Sequence, residues 1–315
     1  MLSRDEFRGA LLALSALLTI VLAIVSLGIN LPGALLLQSL RLHLIAGGIG
    51  LLALLVISGA RWRAGLFAAV LVVAGVHAGR FILEYQERRS APLGPAVAEL
   101  SVISFNVLTG NRRAAEAVEF LAGSDADVVV VMETPGIAGH LDRMRDAFPY
   151  SIGCESPQTC DISIHSRLPI EVGEIRTMRP FRFERLAIAP VVIAGQKVTI
   201  VGVHLSKPYF DGASGAELFA VSRTLSQIEG PVVLAGDFNA AVWSGPMVRL
   251  GRDQQLAPGP FYPATWPVRA GPLGVPIDNI LTRGTARIMA LSAGSDSFGS
   301  NHRPLLARIE LYEAP

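Results

Sequence analysis

The chain has 315 residues, 51% of them hydrophobic, with 27 Lys and Arg against 26 Asp and Glu. Near-neutral charge excludes a protein that depends on a strong basic field to hold nucleic acid. The apolar content is high for a purely soluble protein, and two cysteines are too few for a four-thiolate zinc site.

The apolar excess is concentrated in the first ninety positions. GALLALSALLTIVLAIVSLGI (9–29) carries no charge over roughly the 20 residues needed to cross a bilayer. LHLIAGGIGLLALLVISGA (42–60) and AGLFAAVLVVAGVHAGRFIL (64–83) are two further predicted spans. The first is too long for a typical cleaved signal peptide and lacks a small-residue cleavage site. Residues 1–85 are therefore read as a multi-pass membrane domain, with a buried helical bundle of a soluble domain as the competing reading. Arg4 and Arg8 precede the first span, and Arg61 and Arg63 separate the second from the third. The positive-inside rule puts both groups in the cytoplasm. Three crossings then place everything after Tyr85 outside it, although Arg80, Arg88 and Arg89 on the outer flank run against the rule.

A polar, Pro- and Gly-containing stretch, QERRSAPLGPAVAE (86–99), reads as a break between two parts. Residues 86–98 are taken as a linker and 99–315 as one catalytic domain. In that domain LSVISFNV and ADVVVVME read as buried strands, with the amphipathic helix RRAAEAVEFLAG between them. GHLDRMRDAF is a short helix; ISIHSRLPI, RLAIAPVVI and KVTIVGVHL are β-rich; GAELFAVSRTLSQI is helical. PVVLAGDF, VPIDNILT, RIMALSA and RPLLARIEL complete the strands. This interleaving predicts a mixed α/β domain with sheets buried under helices.

Cys154 and Cys160 bracket a short Pro-containing loop with no histidine, the pattern of a small disulfide in an oxidising compartment. Two free thiols are the alternative. From Ala91 onward there are 19 Lys and Arg against 22 Asp and Glu, without the basic excess of a nonspecific nucleic-acid binder. A local basic patch remains at RPFRFER (179–185).

Polar residues recur where apolar strands end. Asn106 closes SVISFN, Glu133 closes DVVVVME, His204 closes VTIVGVH, and Asp237 and Asn239 close PVVLAGDFN. Asp278 lies in VPIDNIL and His302 opens the last strand. Strand ends are where α/β folds gather a site. Glu133 and Asn106 offer hard oxygen ligands suited to Mg²⁺, with Mn²⁺ as the alternative. Asp237 and Asn239 can orient water and hold a phosphate oxygen. Asp278 can fix the tautomer of His302, which then serves as base or stabilises phosphoryl charge. His204 can donate to phosphate, and Arg185 can reach it.

In order, SFNV, VVMETP, GVHLS, GDFNA, PIDNIL and SNHRPL resemble the endonuclease/exonuclease/phosphatase superfamily from about Leu100 to the C-terminus. The resemblance implies an α/β (α+β) four-layer α/β/β/α sandwich, here preceded by three transmembrane helices, and metal-assisted attack of water on a phosphate ester. It implies Glu133 as principal metal ligand with Asn106 beside it, and His204, Asp237, Asn239, Asp278 and His302 as catalytic residues. Two positions depart from the usual pattern. Asn301 stands where the superfamily usually has aspartate, which predicts one firm metal site and leaves Asn301 as a substrate contact with Arg185. Asn279 stands where histidine often follows the acid. The expected substrate is a lipid-linked phosphate ester outside the cytoplasm, with an extracytoplasmic nuclease for DNA or RNA as the alternative. A catalytically weak phosphate-ligand binder is the third reading.

Overall fold

The structure, a computed structural model, describes residues 3–29, 31–91, 93–209 and 212–313. It opens with four helices: α1 (Arg4–Leu27), the single-turn α2 (Ala34–Ser39), α3 (Arg41–Ile57) and α4 (Arg61–Arg89). Ser3 and Glu6 form a reciprocal capping box at the start of α1, and Gly28 in a left-handed conformation ends it. Helices α1 and α4 are long and apolar enough to cross a bilayer, whereas α3, at 17 residues, is shorter than the three-span reading expects. Outward-facing Leu17, Ile20, Leu66, Val72 and Val73 are exposed, while Leu11, Leu22, Leu55, Phe67 and Leu71 pack between the helices. Arg8 donates to the carbonyl of Gly59, so Arg4, Arg8, Arg61 and Arg63 share one end of the bundle. At 1.5 Å per residue α4 extends about 43 Å from that end to the remainder of the chain.

The linker is shorter than its composition suggests. Helix α4 continues through Arg89 and strand β1 begins at Ala96. Polarity marked the segment as a break, but Tyr85, Glu84 and Arg88 give the last turns of α4 tertiary partners. The Tyr85 hydroxyl donates to the carbonyl of Val242 at 2.9 Å, and Arg88 to Leu256 at 2.8 Å.

Beyond this point lie two six-stranded sheets. The first contains β1 (Ala96–Asn106), β2 (Val128–Met132), β3 (Tyr150–Ile152), β4 (Ile162–Ser166), β11 (Ala286–Ala293) and β12 (Leu305–Tyr312), in the order β11-β12-β1-β2-β4-β3. The second contains β5 (Glu174–Met178), β6 (Phe183–Ile193), β7 (Gln196–His204), β8 (Val232–Asp237), β9 (Ala257–Pro258) and β10 (Asp278–Arg283), in the order β5-β6-β7-β8-β10-β9. Among the described strands, β1–β2 and β7–β8 pair in parallel and the remaining strand pairs are antiparallel.

The inner sheet faces meet through Val102, Val128, Val130, Ile164, Ile200 and Val233. Helices α5 (Ala114–Ala122) and α6 (Leu141–Ala147) cover the outer face of the first sheet against Phe105, Val129 and Val131. Helices α7 (Ala213–Leu225) and α8 (Gly245–Asp253) cover the second against Val201, Val203 and Leu234. The result is the four-layer α/β/β/α sandwich. All of Val128–Met132 is buried, because β2 has packing on both faces. Each such valine contributes about 1.5–3 kcal/mol by leaving water.

The helical N-terminal part is joined to the sandwich by more than α4. Trp243 Nε1 donates to the carbonyl of Ser39 at 3.0 Å, and the amide of Gly245 donates to Gln38 Oε1 at 2.7 Å. Helix α2 is thus a docking element for the start of α8.

Candidate active site

Strand ends of both sheets supply the site, and register explains why distant residues meet there. In the parallel β7–β8 pair His204 lies beside Asp237, and in the antiparallel β8–β10 pair Asp237 lies beside Asp278. The end of one strand therefore meets the end of a parallel neighbour and the beginning of an antiparallel one. Gly236 is required at this junction. Its φ is +152°, and an added Cβ would lie 1.8 Å from the carbonyl oxygen of Val203. Glu133 and Asn239 adopt left-handed backbone conformations, with φ of 54° and 49°. This local strain costs roughly 1–2 kcal/mol each and turns the chain sharply as it leaves β2 and β8.

Asn106 Nδ2 lies 3.1 Å from both Glu133 Oε1 and Asp237 Oδ2. Glu133 Oε2 accepts the Thr109 amide at 2.6 Å. Asp237 Oδ1 accepts the Asn239 amide at 2.8 Å, and the Asn239 side chain donates to the Leu205 carbonyl at 2.8 Å. His302 Nδ1 pairs with Asp278 Oδ2 at 2.9 Å. His204 Nδ1 pairs with Asp161 Oδ2 at 2.7 Å. The Nε2 atoms of both histidines are 3.8 Å from Asp237 Oδ2. Asn106, Asp237, Asp278, His204 and His302 are buried.

Burial and the charge of Asp278 raise the Asp237 carboxyl above its ordinary range, against the pull of His302 and His204. Burial opposes protonation of His302, but Asp278 and Asp237 outweigh it and push its pKa up to about 9. The same contest, decided by Asp161, raises His204. Burial opposes ionisation of Glu133, yet the Thr109 amide, Asn106 and His204 hold it below the usual carboxylate range.

Sequence reasoning singled out seven residues that converge here: Asn106, Glu133, His204, Asp237, Asn239, Asp278 and His302. Arg185 joins through Asp161, its Nε 3.2 Å from Oδ2. The side chain of Asn301 does not join; it is exposed, and its carbonyl accepts the Val268 amide. Asp161 and Glu217 were missed. Asp161 immediately precedes β4, and Met132 pairs with Ile162 in that antiparallel register, which brings Asp161 beside the end of β2. Glu217 is fully buried on α7 and accepts from the Ser206 hydroxyl at 2.8 Å, with Arg185 Nη1 at 3.5 Å. Ser206 in GVHLS was the available signal for Glu217. Cys154 and Cys160 form a disulfide with Cα atoms 4.4 Å apart, closing the loop that leads into Asp161.

These residues suit a divalent cation. Five carboxylates, on Glu133, Asp161, Glu217, Asp237 and Asp278, outnumber the cationic partners Arg185, His204 and His302. Asp278 Oδ1 is buried with no hydrogen-bond partner among the described residues. Ligand atoms of Asp237, Asp278 and His302 lie within 4.8 Å of one another, and Asn106 bridges Asp237 to Glu133, so the Glu133 and Asn106 oxygens border the same acidic cluster. Oxygen donors with surplus negative charge favour a hard metal ion.

Known proteins share this architecture. D. rerio TDP2 complexed with single-strand DNA product has a TM-score of 0.57 at 20% identity, covering 67% of this chain and 99% of that one. Beta toxin from Staphylococcus aureus with bound magnesium ions has a TM-score of 0.55 at 14% identity, covering 67% and 99%. An endonuclease/exonuclease/phosphatase from Beutenbergia cavernae has a TM-score of 0.54 at 18% identity, covering 69% and 72%. No curated protein sequence matches the chain. The model of the Endonuclease/Exonuclease/phosphatase family matches residues 103–302, which include every polar strand end described above from Asn106 to His302. The chain belongs to that family and is a metal-dependent hydrolase of phosphate esters.

Proposed function

We propose that the protein is a membrane-tethered phosphohydrolase acting outside the cytoplasm on a lipid-linked phosphate ester, with Mg²⁺ as its metal and Mn²⁺ as the substitute. The observation that carries this reading is a short loop, residues 268–273, between the helical bundle and the catalytic histidine. At one end its Val268 amide donates to the carbonyl of Asn301, next to His302. At the other, the carbonyl of Leu273 lies 3.0 Å from His43 Nε2 at the start of α3. The rim of the site is thereby held against the bundle, and Leu273 and Phe261 are exposed. A phosphate ester carried by a membrane lipid would have a short path to such a rim. The mildly acidic balance of the catalytic part favours that substrate over DNA or RNA.

In this reading Glu133 and Asn106 hold the metal, which when bound supplies Lewis-acid stabilisation of phosphoryl charge. Asp237, raised by burial and fixed by the Asn239 amide, takes a proton from the attacking water. His302, kept protonated by Asp278, donates to a phosphoryl oxygen. His204, oriented by Asp161, gives a proton to the leaving alcohol oxygen as the ester P–O bond breaks, and Arg185 binds the outer edge of the phosphate.

A substrate panel on the purified full-length protein with Mg²⁺ tests this. Turnover of lipid phosphate esters, with little nicking of plasmid DNA at moderate salt, is expected. Rapid nicking without lipid turnover would favour the nuclease instead.

A further inference from the structure

A second cleft, of about 640 Å³, opens where α1 and α4 meet α8, and no residue described in the catalytic centre lines it. Its wall is mixed in an orderly way. Leu27, Val72, Val73 and Val76 give an apolar side, exposed on the outward surfaces of α1 and α4. Arg41, Arg80, Arg249 and Arg252 give a cationic side, and among the described residues no Asp or Glu lines the cleft.

Arg41 is the informative residue. It is only 3% exposed, its Nη2 donates to the Val25 carbonyl at 2.9 Å, and its guanidinium stacks 4.9 Å from the ring of Phe81. Its Nε and Nη1 are buried with no hydrogen-bond partner among the described residues. A buried guanidinium with open donors is costly unless an acceptor arrives. Arg252 is already committed to Glu84 at 2.7 Å. Arg80 and Arg249 are exposed and carry no ion pair with a described residue. The cleft therefore offers unspent positive charge at its base and rim, and a hydrocarbon-like wall along one side.

We propose that this cleft binds the phosphate headgroup of an anionic membrane lipid, with Arg41 donating from within and Arg80 and Arg249 from the rim. The acyl chains lie along Val72, Val73 and Val76. Charge-assisted hydrogen bonds from guanidinium to phosphate are short and strong, and basic pockets between membrane helices select anionic headgroups. The same assignment gives a role to Arg80, which opposes the positive-inside rule. The proposal rests on the membrane placement in the reading above but not on the substrate of the catalytic centre.

Native mass spectrometry of the full-length protein in detergent, with phosphatidylglycerol and phosphatidylcholine supplied equally, tests it. Retention of one phosphatidylglycerol with about tenfold preference is expected, lost in Arg41→Gln and in Arg80→Gln/Arg249→Gln. Should Arg41→Gln fail to fold, the double variant, altered only at exposed side chains, decides. Equal retention of the two lipids, or an unchanged preference in the folded variants, overturns the proposal. So does displacement by an equal concentration of inorganic phosphate, which would make the site one for a free anion. Flotation with pure phosphatidylcholine vesicles reports membrane placement alone, so its failure is distinguishable from failure of the headgroup site.

Discussion

His302 presents its two ring nitrogens to two different carboxylates: Nδ1 lies 2.9 Å from Asp278 Oδ2, and Nε2 lies 3.8 Å from Asp237 Oδ2. Asp278 is thus the partner that orients the ring, and Asp237 shares the space in which the ester reacts. Replacing His302 by Ala is expected to lower kcat by about 10²–10⁴-fold with a smaller change in KM. Asp278→Asn is expected to lower kcat less, because it leaves the imidazole in place. Steady-state kinetics on one soluble phosphate ester checks both.

The same pair gives a stability signature with a definite sign. His302 is raised from an ordinary 6.5 to about 9 in the fold. Its contribution is fully present below pH 6.5 and is lost as pH rises through about 9. The Tm of metal-free wild-type protein should therefore fall more between pH 6.5 and 9 than that of Asp278→Asn. Parallel Tm curves would contradict the assignment.

Asp161 touches both His204 and Arg185. Asp161→Asn keeps the shape but removes the charge that holds both. Activity is expected to fall about 10- to 100-fold, by analogy with carboxylates that orient metal-binding histidines. Cooperative unfolding should persist with some loss of Tm from the broken pairs, which separates this variant from one that merely unfolds.

Much of the site could be read from single strands, because Asn106, Glu133, His204, Asp237 and Asn239 each follow a continuous apolar run. Asp161 was less visible because it precedes its strand. In an antiparallel neighbour the beginning of a strand lies at the same edge, as Met132 opposite Ile162 shows. Glu217 was hidden for another reason, since on α7 it occupies a helix position that composition marks as surface. Buried there, its charge is answered by Ser206 and Arg185, which only the tertiary arrangement brings. The six residues of α2 lie between the first two predicted spans and carried no reading of their own. Their role depends on Gln38 and Ser39 meeting residues 241–245, a contact no local pattern encodes.

The Cys154–Cys160 disulfide closes a short loop immediately before Asp161. By chain entropy a loop of this size stabilises by about 2 kcal/mol. Cys154→Ser/Cys160→Ser should lower denaturant stability by that order and should also reduce activity, because Asp161 loses its anchor. Unchanged activity would separate the loop from the site.

Tyr85 ties the last turns of α4 to the sandwich through a buried hydroxyl. Tyr85→Phe leaves the Val242 carbonyl without that donor and should cost about 1 kcal/mol in unfolding free energy. Chemical denaturation of the full chain measures it.

The most direct test of the account is hydrolysis of a phosphate ester by the full-length protein, titrated with Mg²⁺, beside Glu133→Gln. Saturable, Mg²⁺-dependent turnover in the wild type, with the metal titration shifted to much higher concentration or lost in Glu133→Gln, is the expected result. Identical turnover and identical metal dependence in the two proteins would contradict the placement of the metal at Glu133 and, with it, the proposed arrangement of the centre.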